Sequence, residues 1–346
     1  MSYGEFNMVY ILVLGSLAIS IIIFAVVLFF LCRFKPGKED DGDDIESTPP
    51  PPPKLSASSY SLMEIDTATD GFNHRRIIGK GRLGTVYAAV TPKGEVVAVK
   101  RIHPRLVLNN AGFGFSSILK WLSLADHPHV LPITGFSEAP GERIIVMEFG
   151  GMLSLDFYLH QNRDGAALLD WRRRLRIAAG AARGLEYLHE VVVPPIIHGC
   201  VKPSNILVDV KFCARVCDYG LHFLARHEKE GGGVVDVGYV DEEYWIEKKG
   251  ASKECDVFGL GVVLLELLSG RRSDQHSNII VEWGLPLIKE MRWSELLDPR
   301  LPIPCHVEPL VRLSKLALAC LGNSRTNRPS IPHLAAILTD IEDMTL

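Results

Sequence analysis

The 346-residue chain lacks a strong net charge, an ordered cysteine pattern and an internal repeat. A formal charge of −4 gives no global attraction to nucleic acid, so no nucleic-acid partner is expected. The seven cysteines are odd in number and scattered, without zinc-like or haem-like spacing, which suits a reducing compartment better than a disulfide framework. Apolar residues make up 47 % of the chain, enough for a sizeable core and one membrane segment.

The stretch Val9–Cys32 lacks charge altogether. Its 24 residues exceed the roughly 20 that cross a bilayer as a helix, so the pattern predicts a single transmembrane helix in the lipid bilayer. A cleaved signal peptide is the alternative. It fits less well because its apolar region usually spans about 7–15 residues and follows a basic segment, which is missing here.

The charges that flank this segment predict its orientation. Residues 1–8 carry only Glu5, and the basic residues that follow the segment are Arg33, Lys35 and Lys38. The positive-inside rule therefore places residues 1–8 on the outer side of the membrane and the rest of the chain in the cytoplasm. Cys32 lies at the inner boundary, where it is either a palmitoylation site or an ordinary boundary cysteine.

Residues 33–71 are predicted to form a disordered linker. Glu39–Glu46 holds six acidic residues and no basic one, and Pro49–Pro53 is a run of five prolines. Such composition gives a solvated, extended tether without a core. The proline run either binds an SH3-like or WW-like groove or is only a stiff spacer.

A glycine-rich segment, Ile78–Tyr87, reads I-G-K-G-R-L-G-T-V-Y and is followed by V-A-V-K at Val97–Lys100. The G-x-G-x-x-G pattern alone is weak, because a Rossmann turn shares it. Here the next residues alternate as a strand does, and Lys100 comes sixteen residues after Gly84. The pair therefore resembles the ATP-covering loop and the phosphate-binding lysine of protein kinases.

The segment Ile196–Asn205 reads I-I-H-G-C-V-K-P-S-N and resembles the kinase catalytic loop H-R-D-x-K-x-x-N. Three positions match that loop: His198, Lys202 and Asn205. Gly199 replaces its arginine, and Cys200 replaces the aspartate that acts as catalytic base. Downstream, Asp218-Tyr219-Gly220 resembles the metal-binding D-F-G triplet with tyrosine for phenylalanine.

Further segments resemble plant receptor-like kinases. They are the A-T-D-G-F entry ending at Phe72, the apolar-faced helix within Leu169–Glu190, S-N-I-L-V-D at Ser204–Asp209, and D-V-F-G-L-G-V-V-L-L-E-L-L-S-G-R-R at Asp256–Arg272. The resemblance covers residues 72–341. It implies an α+β, two-lobed protein kinase fold over residues 72–346, with a β-rich small lobe at 72–150 and an α-helical large lobe at 151–346.

The resemblance also implies a site for ATP with Mg²⁺. The positions that would meet the nucleotide are Gly79, Lys80, Gly81, Gly84, Val86, Ala98, Lys100, Met147, Glu148, Gly150, Asn205 and Leu207. Asn205 and Asp218 would hold the metal, and Lys202 would steady the γ-phosphate.

Acidic residues are missing where the chemistry needs them. No Asp or Glu occurs between Lys100 and Asp126, and the position of the αC glutamate that normally pairs with the lysine falls on Ile118. We expect Lys100 to be held by Asp218 or by phosphate instead. Cys200 is a poor base, because a thiol has an ordinary pKa of about 8.5 and a single soft sulfur.

Serine and threonine are missing from Leu221–Ala251, the activation segment. Because Gly199 also replaces the arginine that would receive a phosphate, control by phosphorylation of this segment is not expected. We predict instead an ion pair between Asp236 and Lys202. The A-P-E triplet reads Asp-Glu-Glu and keeps Glu243, whose predicted partner is Arg328.

The sequence therefore predicts a single-pass plasma-membrane pseudokinase. Its partners would be other receptor-like kinases or their substrates at the membrane, with ATP bound to stabilise one conformation. A weak or atypical Ser/Thr protein kinase is the alternative, supported by Lys100, Asn205 and Asp218. A tether that binds no nucleotide fits less well, because it leaves those retained residues without a role.

Overall fold

The computed structural model describes residues 57–109, 114–161, 167–225, 237–246, 250–273 and 279–344. The predicted membrane segment 9–32 and the acidic and proline runs of the linker lie outside the described residues. Among the residues that are described, no helix is both long enough and apolar enough to cross a bilayer. All described residues belong to one compact unit, Lys54–Leu346.

The small lobe is built on a twisted sheet with the strand order β1-β5-β6-β4-β3-β2. Its strands are β1 (Ser58–Ser59), β2 (Ile77–Lys80), β3 (Gly84–Val90), β4 (Val96–Ile102), β5 (Ile133–Ala139) and β6 (Glu142–Glu148). β1 pairs with β5 in parallel, and the other pairs are antiparallel. The described part of the lobe also forms the short helices α1 (Leu62–Ala68), α2 (Pro104–Asn109) and α3 (Phe115–Leu122).

Helix α1 covers the outer face of this sheet. Successive side chains of a strand point to opposite faces, so Val97 and Val99 of β4 share one face and Ala98 and Lys100 share the other. The first pair is buried in a small apolar cluster with Ile65 of α1. Ala98 belongs instead to the main core between the lobes, so Lys100 lies on the face of β4 that is turned toward the large lobe.

The linker predicted to extend to residue 71 ends earlier in the chain. Ala57 donates its N–H to Ser123 Oγ at 2.9 Å, and Tyr60 donates to the carbonyl of Phe136 at 2.9 Å. Helix α1 begins with a reciprocal cap in which Ser61 and Glu64 bond each other's backbone N–H groups. Residues 57–71 are therefore part of the folded domain, because the apolar outer face of the sheet needs a cover.

The large lobe is mainly helical. Its helices are α4 (Leu155–His160), α5 (Trp171–Glu186), α6 (Glu242–Ile246), α7 (Lys253–Ser269), α8 (Ile279–Lys289), α9 (Trp293–Leu296), α10 (Glu308–Cys320) and α11 (Ile331–Asp343). A short sheet of β7 (Leu153–Ser154), β8 (Ile206–Val208) and β9 (Ala214–Val216) carries the candidate site. The β-rich small lobe and helical large lobe agree with the predicted fold.

Local sequence signals explain the two central helices of this lobe. The side chain of Asp170 caps α5 by accepting from the N–H of Arg173 at 2.8 Å. Helix α7 is capped by Ser252 and ends at Gly270, which has a φ of 64°. Its apolar run is buried inside the lobe on all sides, and Asp256 near its start bonds the catalytic loop.

Candidate active site

Lys100 and Asp218 form the centre of the cleft. The ammonium group of Lys100 contacts the carboxylate of Asp218 directly, and both side chains are largely buried. This contact confirms one of the two partners predicted for Lys100 in the absence of an αC glutamate. Asp218 follows shortly after the end of β9 and has a φ of 63°, a left-handed backbone conformation that is uncommon outside glycine.

Asp218 is ionised in this environment. Burial alone would raise the pKa of its carboxyl group, but the charge and hydrogen bond of Lys100 and the charge of Lys202 outweigh burial. The resulting pKa lies below the ordinary value for aspartate. Asp218 and Lys100 are therefore a mutually neutralising pair.

Helix α3 brings no carboxylate to this pair. Ile118, at the position where a glutamate would be needed, packs against the main core as a partly buried apolar side chain. No side chain caps the start of α3, and Glu138 of β5 instead accepts from the N–H of Ser116 at 3.2 Å. The helix is thus stabilised by a carboxylate from the neighbouring strand and not by an ion pair with Lys100.

The catalytic loop is fixed from below by Asp256 of α7. Its carboxylate accepts from the N–H groups of His198 and Gly199 at 2.7 Å each, and His189 Nε2 lies 2.8 Å from it. Burial would raise the pKa of Asp256, but His189 and these hydrogen bonds bring it below its ordinary value. The frame of the loop therefore depends on backbone donors rather than on the side chains of residues 199 and 200.

Cys200 occupies the position of the catalytic base on this fixed loop. Its carbonyl accepts from the side-chain amide of Asn205 at 3.0 Å, and the carbonyl of Asn205 accepts from the N–H of Cys217 at 2.9 Å. These bonds hold Asn205 next to the strand that leads to Asp218. The loop geometry is thus in place, while the group that would accept a proton from a substrate hydroxyl is a thiol.

Gly199 reveals a contact that the sequence did not predict. Its φ is 81°, and a Cβ atom at this position would lie 2.6 Å from Nδ1 and 2.7 Å from Cβ of His222. The imidazole of His222 therefore fills the space beside residue 199. The one available signal was a histidine placed four residues after Asp218, and its spatial neighbour could not be read from that spacing.

Tyr219 is locked into the core. Its hydroxyl donates to the carbonyl of Leu131 at 3.1 Å, and burial raises the pKa of this phenol. The following turn, residues 221–225, buries Leu221, Phe223 and Leu224 in the main core and lies against helix α2. The first part of the activation segment is therefore held by apolar packing. Asp236, the predicted partner of Lys202, lies outside the described residues.

The predicted partner of Arg328 needs correction. Arg328 donates to Asp241, which also accepts two hydrogen bonds from Arg325 at 2.7 and 2.8 Å. Burial would raise the pKa of Asp241, but the two arginines lower it below its ordinary value. Glu243, the residue predicted to pair with Arg328, accepts from the N–H of Arg325 at 3.0 Å.

The remaining predicted nucleotide positions surround the same cleft. β2, β3 and the turn between them carry Gly79, Lys80, Gly81, Gly84 and Val86. Ala98 of β4 pairs with Met147 of β6, and Glu148 and Gly150 follow at the hinge. Leu207 lies on β8. Val86 and Leu207 pack against the core cluster that contains Ala98 and Met147. The carboxylate of Glu148 is bonded to Arg215 at 2.9 Å. The apolar walls expected around an adenine are therefore on facing sides of one cleft.

The fit of these residues to ATP with Mg²⁺ is uneven. A carboxylate and an amide oxygen, from Asp218 and Asn205, are the oxygen ligands that Mg²⁺ prefers. The carboxylate, however, already has a buried ammonium as its counter-charge. Asp218 and Asn205 would hold the metal, which would supply positive charge to offset that of the phosphates, and Asp218 would first have to give up its contact with Lys100.

Comparison with known proteins agrees with this geometry. Residues 72–337 match the model of the protein kinase domain. The serine/threonine-protein kinase-like protein CCR2 of Arabidopsis thaliana is 36% identical over 282 residues, which cover 81% of this chain and 34% of CCR2. The proline-rich receptor-like protein kinase PERK1 of the same species is 34% identical, over 82% of this chain and 45% of PERK1.

A solved structure is also similar. It is the pseudokinase domain of BIR2, described as an immune regulator of the RLK/Pelle family, with a TM-score of 0.67, 32% identity, and coverage of 82% of this chain and 86% of that one. This chain spans about a third of the length of CCR2 and less than half of PERK1. With plant receptor-like kinases and a pseudokinase among its relatives, the chain belongs to the protein kinase domain family.

Proposed function

We propose that this chain is a pseudokinase that is anchored in the plasma membrane and acts by binding. Its partner would be an active receptor-like kinase or the substrate of one, held near the membrane by the helix predicted over residues 9–32. The observation that carries the proposal is the direct pairing of Lys100 with Asp218 in a cleft where the two other catalytic acids are replaced by Ile118 and Cys200.

Each replacement weakens phosphotransfer for a separate reason. Without a positioned base at residue 200, the rate is expected to fall by about 10²–10⁴. Without a glutamate at residue 118, Lys100 remains on Asp218 and orients neither phosphate nor metal. The two replacements affect the same catalytic apparatus, so their effects on the rate of phosphotransfer do not multiply. The description of BIR2 as a pseudokinase and an immune regulator supports the same role for this relative.

Phosphotransfer by the purified full chain in detergent tests the proposal. Labelled ATP would be supplied with Mg²⁺ and then with Mn²⁺, and Asp218→Asn would serve as the matched control because it removes a metal ligand and keeps the shape. We expect incorporation no higher than in the control. Incorporation that disappears in Asp218→Asn would contradict the proposal and support the second candidate.

That second candidate is a weak or atypical Ser/Thr protein kinase. It is favoured by the retained Asn205 and Asp218, and by the names of CCR2 and PERK1, which are kinase or kinase-like proteins. Under this reading the proton of the substrate hydroxyl would need an acceptor other than an aspartate at residue 200, and the experiment above separates the two functions.

Membrane anchoring is tested independently by alkaline carbonate extraction of membranes that contain the full chain. We expect the chain to remain in the membrane pellet, because a spanning helix resists extraction. Replacing Ile21 and Ile22 with aspartate would place two charges at the centre of the apolar segment. Each charge would raise the free energy of membrane insertion by about 2.5–3.5 kcal/mol. Release of the unsubstituted chain into the supernatant would contradict the anchor.

A further inference from the structure

We propose that the large lobe carries a surface that binds anionic lipid headgroups of the bilayer. This surface, the basic face, consists of Arg172, Arg173 and Arg176 of α5 together with Val210 and Lys211 in the turn between β8 and β9. The inference rests on the membrane anchor of the proposed function and adds a second, reversible contact between the kinase-like domain and lipid.

The turn between β8 and β9 presents an apolar tip and a cation at fixed positions. Phe212 donates its N–H to the carbonyl of Asp209 at 3.0 Å, which closes the turn and leaves Val210 and Lys211 at its two corners. The Asp209 carboxylate also accepts from the N–H groups of Lys211 and Cys213 at 2.8 Å each. Val210 is 88% exposed, the highest value among the large apolar side chains that the structure describes. An exposed apolar side chain beside a cation is typical of residues that enter the headgroup layer of a membrane.

Helix α5 adds arginines to the same surface. The guanidinium carbon of Arg173 lies 4.1 Å from the centroid of the Phe212 ring. Arg176 Nη2 lies 3.3 Å from Cys213 Sγ. Arg172 comes four residues before Arg176, so the two lie on the same side of the helix. All three arginines are exposed, and α5 and the turn therefore form one surface.

Few carboxylates of the described residues offset these charges. Asp170 lies 3.9 Å from Arg173 and also caps α5, and the carboxylate of Asp209 is bonded to the backbone of the turn. The neighbouring Arg215 is paired with Glu148 and adds no net charge. The four cations of the basic face therefore lie beside two carboxylates, and the surface keeps a net positive charge.

The arginines occupy an end of α5 where the helix itself disfavours cations. They lie within the first six residues of the helix, where the helix dipole carries a partial positive charge. Arg172 and Arg176 also repel each other, as like charges four residues apart do. Arg174 is not part of this surface, because it is buried and donates to Asp298 at 2.6 Å. A layer of anionic headgroups beside this end of the helix would offset both unfavourable effects.

The chain enters the domain near the other end of α5. Ala57 donates its N–H to Ser123 Oγ at 2.9 Å, and Asp126, three residues further on, donates its N–H to Tyr187 Oη at 3.0 Å. Tyr187 caps the C-terminus of α5. Arg176 lies eleven residues before it, about 17 Å along the helix axis. One helix therefore connects the region where the chain enters with the basic face.

The length of chain before Ala57 allows the basic face to meet the bilayer. The helix predicted over residues 9–32 is followed by residues 33–56, which extend to at most about 85 Å. The headgroups of the cytoplasmic leaflet are anionic, and they attract basic residues that come within about 8–10 Å at physiological salt. An acidic protein would match the charge of the face but not the exposed Val210, so we assign the face to lipid.

Protection of Lys211 from acetylation tests the inference on the full chain. The chain would be reconstituted with vesicles of phosphatidylcholine, or of equal parts of phosphatidylcholine and phosphatidylserine, and treated with a membrane-impermeant acetylating reagent. Mass spectrometry gives the rate at Lys211 relative to the rate at Lys315, an exposed lysine of α10. We expect this ratio to be at least about threefold lower with phosphatidylserine, because anionic headgroups cover Lys211.

Two double variants show whether the basic face causes the protection. Arg172→Glu with Arg176→Glu replaces two cations by anions and should abolish the effect of phosphatidylserine at Lys211. Both positions are exposed and lie at the end of α5 that favours acidic side chains, so the fold should be retained. The matched control, Arg75→Glu with Lys93→Glu, makes the same change of charge at exposed positions of the small lobe and should keep the protection.

Three results would overturn the inference. The first is a ratio of the two acetylation rates that is the same in both kinds of vesicle. The second is an equal loss of protection in the two double variants, which would make the effect one of net charge alone. The third is protection of Lys211 by a polyglutamate peptide without vesicles, combined with none from phosphatidylserine, which would assign the face to an acidic protein.

The anchor and the basic face can fail separately. A chain that alkaline carbonate releases, but whose Lys211 is protected by phosphatidylserine, would contradict the anchor alone. A chain that stays in the membrane pellet without this protection would contradict the basic face alone. Phosphotransfer is measured in a different experiment, so the assignment as a pseudokinase depends on neither result.

Discussion

Two regions differ in how far they depart from the kinase pattern: the floor of the catalytic loop, formed by Asp256 and His189, and the cleft above it. In the floor, Asp256 keeps its hydrogen bonds to the N–H groups of His198 and Gly199 and its contact with His189. In the cleft, the acids are gone from residues 118 and 200. The difference has a physical cause. Asp256 binds backbone N–H groups, which almost any residue at positions 198 and 199 supplies, whereas phosphotransfer needs particular side chains at residues 118 and 200.

The largest effect is expected from breaking the floor. Asp256→Ala leaves two buried N–H groups and His189 without an acceptor, and should lower the free energy of unfolding by about 3–5 kcal/mol. Urea denaturation followed by circular dichroism would measure it. Asp340→Ala, at an exposed position, is the control and should change stability by less than about 0.5 kcal/mol. Equal losses of unfolding free energy in the two variants would show that Asp256 does not stabilise the catalytic loop.

A second buried carboxylate, Asp241, should couple stability to pH. Its folded pKa is below the ordinary value of about 3.9, so its contribution is present above that ordinary value and is lost as pH falls through the folded pKa. At pH 7, Asp241→Asn should cost about 3 kcal/mol because Arg325 and Arg328 lose their carboxylate. The difference from the unsubstituted chain should shrink below about pH 4. A difference that is constant from pH 7 to pH 3 would exclude this ion pair as its source.

The cleft itself should respond to restoration of its acids. In the double variant Ile118→Glu and Cys200→Asp, the introduced glutamate is placed to draw Lys100 away from Asp218, and the introduced aspartate supplies the missing base. We expect phosphotransfer at least about 10²-fold above the Asp218→Asn background. Cys200→Asp alone should give far less, because Lys100 would still occupy Asp218. Equal activity of the single and double variants would show that the missing glutamate is not what disables the cleft.

The smallest effect separates backbone strain from crowding. Gly199→Ala adds a Cβ at a φ of 81° against His222, whereas Gly141→Ala does so at a φ of 74° with nothing within 4 Å. Both variants share the cost of the left-handed conformation, and only the first is crowded. Gly199→Ala should therefore be less stable than Gly141→Ala by about 1–3 kcal/mol in urea denaturation. Equal stabilities would mean that His222 moves aside without cost.

Sequence reasoning succeeded where motif spacing fixes the position of a residue. The sixteen residues from Gly84 to Lys100 and the register of Ile118 against the following strand were enough to predict that Lys100 would need another partner. Asp218 was one of the two predicted candidates because it lies in a motif of its own. These inferences needed no knowledge of packing.

It failed where contacts between distant segments decide the outcome. Three features depend on tertiary neighbours. His222 lies beside Gly199, Arg328 pairs with Asp241 and not with the predicted Glu243, and residues 57–71 fold onto the sheet. Polar and serine-rich sequence around Ser58 and Ser59 resembles a linker. Pairing with Gly135 and Phe136 of β5 orders these two serines, and the apolar face of Val97 and Val99 orders the helix that follows them.

The contact between His222 and Gly199 also has an evolutionary meaning. As long as the imidazole fills the space beside residue 199, any larger side chain that returns there meets it at less than 3 Å. Regaining an arginine, and with it a receptor for activation-segment phosphate, therefore requires a compensating change near residue 222 as well. The pair therefore keeps residue 199 a glycine unless residue 222 changes with it.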